Sequence, residues 1–218
     1  MTLSGASIDV VKSAGVPLRL SAARFEVPYV IVVGNKGSQT DTNVQVSDNL
    51  GLTFPQALAS NGGGGISIKS GSFSVANGAG TSVCAGPSST FDGVTRFALL
   101  SGAFDLATNQ SCVISFIAVV DFGANAVPSA AQNNTAYASS VASGPNTGYT
   151  FSGSTATPPA GAVALDTSTN IVAPSGGAAG ALPATPALPS SANGDTATAT
   201  PVTLPSTTGG LSGSVRIE

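Results

Sequence analysis

Three polar residues in this chain continue apolar rows that alternate along short runs. Lys12 follows Ile8 and Val10, Asp48 follows Val44 and Val46, and Asn134 precedes Ala136 and Ala138. In a β-strand, residues two apart point to the same face. Each run therefore turns an amine, an acid or a carboxamide toward the side its apolar neighbours occupy. A lysine in an apolar pocket loses its charge readily and becomes a neutral nucleophile. An aspartic acid in the same pocket keeps its proton, polarises a carbonyl and shuttles the proton. An asparagine supplies that carbonyl. The product is a Lys–Asn isopeptide, with one ammonia released, that fastens the first strand to the last. A plainer reading stands beside it. Lys12 snorkels at a strand end, Asp48 caps a turn at Asp48-Asn49, and Asn134 satisfies backbone groups at a sheet edge.

The only cysteines, Cys84 and Cys112, form the second candidate site. In an exported chain their natural state is a disulfide. Cys112 opens the apolar run CVISFIAVV, so the bond would tie a long loop to the core. Free buried thiols, or a metal or redox role, are the alternatives.

The elements that carry these residues are strands. Apolar runs are short and punctuated by Gly, Asn, Ser and Pro, and helical periodicity is nearly absent. The expected strands are 6–12, 16–20, 25–34, 43–48, 66–69, 72–75, 95–100, 112–122 and 133–141, with one short helical turn at most in 47–59. Val27, Tyr29, Ile31 and Val33 share one face, and Val30 and Val32 lie on the other. A strand apolar on both sides is a central one. The number and spacing of strands point to an all-β fold, an immunoglobulin-like two-sheet sandwich over residues 1–142.

Beyond Ser143 the composition shifts. Nine of the 14 prolines lie there, among Gly, Ala and Thr. Pro removes ladder donors and Gly raises the cost of ordering. Residues 143–218 are thus either a disordered linker or an extension lying along the sandwich, with 162–165, 201–204 and 213–217 able to add edge strands.

Composition also excludes function classes. Charged residues are 8% of the 218, apolar residues 42%, and the net charge is −3. The seven basic residues are scattered, so no patch for nucleic acid exists. No apolar run approaches the ~18 residues of a membrane span. The N-terminal sequence lacks a signal peptide's basic start and apolar core. The expectation is a piece of a longer exported protein, or export by another signal. There is no histidine, so Ser-His-Asp and Cys-His catalysis are impossible. No carboxylate pair flanks an aromatic cleft as in glycosidases. Asp41, Asp92, Asp105, Asp121, Asp166 and Asp195 lack the spacing of a calcium loop and read as solvated surface acids. The 62–65 glycine run has no Lys-Ser/Thr after it and cradles no phosphate. The expectation is no enzyme, no metal and no cofactor.

The segments VVKSAG, VPYVIVVGNKGSQTDTNVQVSDNL and VPSAAQNNTAYAS carry a resemblance to a family. They resemble the conserved repeat domain of bacterial surface proteins, called domain of unknown function eleven. Its first-strand lysine corresponds to Lys12. Its "Y-x-I-x-V-x-N-x-G" motif falls on Tyr29, Ile31, Val33, Asn35 and Gly37. Its "N-V-x-V-x-D-x-L" motif falls on Asn43, Val44, Val46, Asp48 and Leu50, and its "N-x-A" strand on Asn134 and Ala136. The resemblance covers about 8–141. It departs from the family after Leu50, where Gly51-Leu52 replaces the usual proline. It implies an immunoglobulin-like fold, tandem copies, and a stalk or adhesin role outside the bacterial cell. Surface-protein relatives elsewhere carry internal isopeptides.

The expected function is a structural module of an exported surface protein: a stalk, an adhesin repeat, or a filament subunit that donates a strand to the next copy. Its partners are neighbouring copies. The alternative is a module that binds a carbohydrate or a host protein through its loops, with 50–65 as the best surface.

Overall fold

The computed structural model describes residues 5–80, 84–171, 177–188 and 196–206. It opens with β1 (Ile8–Ala14), β2 (Leu18–Arg19), β3 (Arg24–Asn35) and β4 (Asp41–Asp48). Two short helices follow, α1 (Leu50–Thr53) and α2 (Pro55–Leu58), then a 3-10 turn at Asn61–Gly63. Next come β5 (Ile66–Ile68), β6 (Ser74–Asn77), β7 (Phe104–Leu106), β8 (Ser111–Asp121), β9 (Gln132–Asn134) and β10 (Ala136–Val141). The last part contributes β11 (Thr150–Ser152), β12 (Thr155–Thr157), β13 (Ala162–Thr167), β14 (Thr169–Asn170) and β15 (Thr200–Val202).

The fold is all-β. A seven-stranded sheet runs β14-β1-β3-β8-β5, with β2 beside β3 and β6 beside β8. A four-stranded sheet runs β13-β10-β4-β7, and two ribbons pair β11 with β12 and β15 with β9. One apolar core joins both large sheets: Val10, Val27, Ile31, Ile114 and Phe116 from the first, Val44, Val46 and Ala138 from the second.

β3 is central and buried at all but its first residue. Its Pro28 breaks no ladder bond. The Pro28 carbonyl accepts from Gly15 N at 2.9 Å, so the missing N–H also points to that side, where β1 has just ended. The outer row, Val30 and Val32, is covered as well as the inner one. Residues 177–188 supply part of that cover: Leu188 packs over Gly34, and Gly180 N donates to Val16 O at 2.8 Å. Gly34 leaves room for this close approach; a Cβ there would force the Leu188 side chain to shift.

The described part of the extension is therefore built into the sheets. β13 pairs antiparallel with β10, β14 pairs parallel with β1, and β15 pairs antiparallel with β9. The expected edge strands at 162–165 and 201–204 correspond to β13 and β15. The third, at 213–217, lies outside the described residues, as does Asp195. Two local expectations need correction. The 95–100 stretch makes isolated bridges only, Ser47 to Ala98 and Pro87 to Leu100. Its start is consumed by a turn in which Asp92 and Gly93 N–H groups bind the Arg96 carbonyl. The regular strand on that side of β4, opposite β10, is β7. Residues 47–59 hold two helices rather than one turn: Asn49 caps the first, and Pro55 starts the second.

Candidate functional site

The three strand-parity residues meet in one buried cluster. Lys12 lies on β1 opposite Ile31, Asp48 ends β4 opposite Ala136, and Asn134 ends β9 opposite Thr200. The corner between β9 and β10 is pinned by Ser168, whose hydroxyl accepts from Ala136 N and whose N–H donates to Ala136 O. Thr200 closes the other side, its hydroxyl donating to the Lys12 carbonyl at 3.3 Å. All three side chains are 0% exposed.

Lys12 Nζ donates to Asp48 Oδ2. The Asn134 carboxamide lies beside both the Asp48 carboxyl and the Tyr29 hydroxyl. Even so, neither its oxygen nor its nitrogen has a well-formed hydrogen bond among the described residues; the same is true of Asp48 Oδ1 and the Tyr29 hydroxyl. The Tyr29 ring forms one wall, its centroid 4.5 Å from Lys12 Nζ. Phe116 backs that ring at 5.4 Å, and Phe91 and Phe73 pack behind Phe116.

Burial is the dominant force on the ionisable groups. It pulls the Lys12 amine below its usual value, against the opposing attraction of Asp48. It pushes the Asp48 carboxyl up, against the attraction of Lys12 and the nearness of the Asn134 carboxamide and the Asn49 N–H. Tyr29 is raised too, first by burial and then by Asp48. Both members of the pair are thus driven toward their neutral forms, a free amine next to a protonated acid. The arrangement holds a nucleophile, a proton carrier and a carboxamide together, away from water.

The plainer reading fits less well. Lys12 does not snorkel, because its amine is buried. Asp48 is not the cap of α1; Asn49 is, through its side-chain oxygen and Leu52 N at 3.1 Å. The Asn134 side chain satisfies no backbone group among the described residues. Tyr29 and Thr200 were missed as members of the cluster. Tyr29 was within reach, since parity with Ile31 already placed it on the core face. Thr200 was not, because only tertiary folding brings the extension back to β9.

Cys84 and Cys112 are at disulfide distance, with Cα atoms 6.0 Å apart. Cys112 pairs with Val33 on one side and Asn77 on the other, and Asn77 Oδ1 accepts from Cys84 N at 3.1 Å. The loop after β6 is thereby folded back onto β8.

The scattered acids serve the backbone. Asp92 accepts from Val94, Thr95 and Arg96 N–H groups, Asp105 from Asn43 N, Asp121 from Gly123 N, and Asp166 from Val10 N at 2.6 Å. Asp41 corrects the expectation of a solvated acid. It is buried near Asp9, accepts from the Ser140 hydroxyl, and is pushed up to about 6 chiefly by burial. Among the described residues, no group of three or more His, Cys, Asp or Glu could hold a metal, and no helix is long and apolar enough to cross a membrane.

No protein family, curated protein or solved structure is matched by the chain.

Proposed function

We propose that this chain is a structural module of an exported bacterial surface protein, an immunoglobulin-like sandwich that spaces or links copies under tension as a stalk, adhesin repeat or filament subunit. The observation that carries the reading is the sealing of the Lys12, Asp48 and Asn134 cluster. Lys12, Asp48 and Asn134 have no exposed surface, so no diffusible substrate reaches them. Their chemistry can act only on the chain that holds them. The cysteine pair agrees with an oxidising compartment. The extension, stitched to β1, β9 and β10, agrees with a domain built to resist pulling. The resemblance to the surface-protein repeat domain points the same way.

The test is labelling of intact cells of the bacterium that makes the chain, using a membrane-impermeant amine reagent. The expected result is labelled protein before lysis. Labelling only after lysis would remove the surface assignment.

A second reading, ligand binding, is favoured by one feature. Half-exposed Phe97, Tyr137 and Phe151 form an aromatic cluster with the buried Tyr149, ring centroids 4.7 to 5.6 Å apart. Arg96, Thr95 and Thr147 rim the cleft beside it. Sugar rings stack on such surfaces. This cleft stands beside the 50–65 segment as a candidate surface for a carbohydrate. A glycan array with a hit lost in Tyr149→Ala would select this reading.

A further inference from the structure

We propose that the folded chain joins Lys12 to Asn134 through an amide bond, formed by its own residues with Asp48 as the proton carrier. The bond deepens the mechanical reading but stands on separate observations, and the two can fail independently.

The first observation is the orphaned carboxamide. A buried amide without hydrogen bonds costs roughly 1–3 kcal/mol, and native folds rarely leave one. Asn134 has both polar side-chain atoms in that condition among the described residues. It nevertheless sits beside an acid and a phenol that could have satisfied it. A carboxamide kept as a reactant explains this better than one kept for structure. Once its nitrogen is exchanged for Lys12 Nζ, the side chain becomes part of a bridge.

The second observation is where the amine lies. A lysine with no exposed surface needs a strong reason for its burial, and a surface ion pair would serve stability equally well. Among the described residues Lys12 has one ion-pair partner, Asp48, and the Tyr29 ring, backed by Phe116, walls its amine. That wall excludes water, which would otherwise hydrate the amine and blunt its attack.

The third observation is topological. β1 belongs to the seven-stranded sheet, whereas β9 sits at the corner leading into β10 of the four-stranded one. A bond between them staples the two sheets. Thr200 already holds the Lys12 backbone next to Asn134 from the side.

The step balances without any co-reactant. The neutral Lys12 amine attacks Cγ of Asn134, forming the Nζ–Cγ bond. Protonated Asp48 gives hydrogen to the carboxamide as charge develops on its oxygen. The resulting carboxylate takes a proton from the attacking nitrogen and passes it to Nδ2. The Cγ–Nδ2 bond then breaks, the oxygen's proton returns to Asp48 as the carbonyl re-forms, and ammonia leaves. Asp48 ends as it began, and nothing is oxidised or reduced. Tyr29, whose hydroxyl adjoins the carboxamide, is placed to donate to the same oxygen.

The test is intact-mass measurement of the full chain after reduction, followed by peptide mapping. The expected mass is one ammonia below that of the sequence, and the map should contain a branched peptide joining the segments around Lys12 and Asn134. Asp48→Ala and Lys12→Arg should each have the full mass of their sequences. Their folding is checked separately, by a β-type far-UV spectrum and by the cysteine pair in the unreduced protein. A wild-type chain of full mass overturns the bond. So does a missing ammonia mapped to a succinimide at Asn61-Gly62, Asn77-Gly78 or Asn193-Gly194. Either result leaves the surface assignment standing, because cell labelling tests it independently.

Discussion

Lys12 Nζ donates its hydrogen bond to Asp48 Oδ2 from a pocket in which neither side chain touches solvent. Burial lowers the pKa of the amine and raises that of the acid, so the pair is poised between an ion pair and two neutral groups. Asn134 beside it turns a stability puzzle into a chemical one.

The contribution of this pair to stability can be separated from its chemistry. Asp48→Ala removes the proton carrier and leaves a buried amine without its acceptor, at a cost of about 3–5 kcal/mol. The double change Lys12→Met with Asp48→Leu fills the pocket with apolar groups. It should recover most of that loss in urea titration while keeping the full sequence mass. If the double variant also lacked an ammonia, the chemistry would lie elsewhere.

Tyr29→Phe keeps the wall and removes one donor. The link should still form, but up to about 10²-fold more slowly. A time course of mass after refolding measures it, and an unchanged rate would show that the hydroxyl is a bystander.

Asp41 gives a pH signature. Its folded value of about 6 exceeds the usual 3.8, so between those values the folded chain binds more proton than the unfolded one. Stability from this group is therefore present at low pH and lost as pH rises through about 6. The groups facing it are Asp9, the Ser140 hydroxyl and the Ser7 backbone. Urea midpoints across that window should fall with pH in the wild type, and the Asp41 component of the slope should vanish in Asp41→Asn.

The cysteine pair spans 28 residues, and its loss should cost about 3 kcal/mol. Comparing urea midpoints with and without reductant reads this directly, and Cys84→Ser should show no further response to reductant.

The extension should be needed for solubility. Deleting residues 143–218 removes β11 to β15, and the loss of β13, β14 and β15 bares the edges of β10, β1 and β9. The 1–142 fragment should therefore aggregate on size-exclusion chromatography. A well-behaved monomer would mean that the extension is an accessory, and would also argue against strand donation by the tail.

Much of this site was readable from alternation. Period-two spacing put Lys12, Asp48 and Asn134 on faces shared with core residues, and the runs in β3 and β8 announced central strands. Spacing along one strand does not give the register between strands, so the meeting of the three was an inference about chemistry. Asp41 shows the limit. Its neighbours Thr42 and Asn43 are polar, Asn43 takes a positive φ of 49° at an irregular register, and nothing local marks the acid as buried. The placement of the extension was likewise open, because Pro- and Gly-rich sequence does not say which surface it will cover. The doubly apolar face of β3 was the one local hint that something must.

The most direct measurement of the central claim is to stretch the full chain by its two ends in a single-molecule instrument. If Lys12 and Asn134 are joined, the length released on unfolding should lack the whole span between them at every force below covalent rupture. Release of the complete chain length would contradict a cross-linked tension-carrying module.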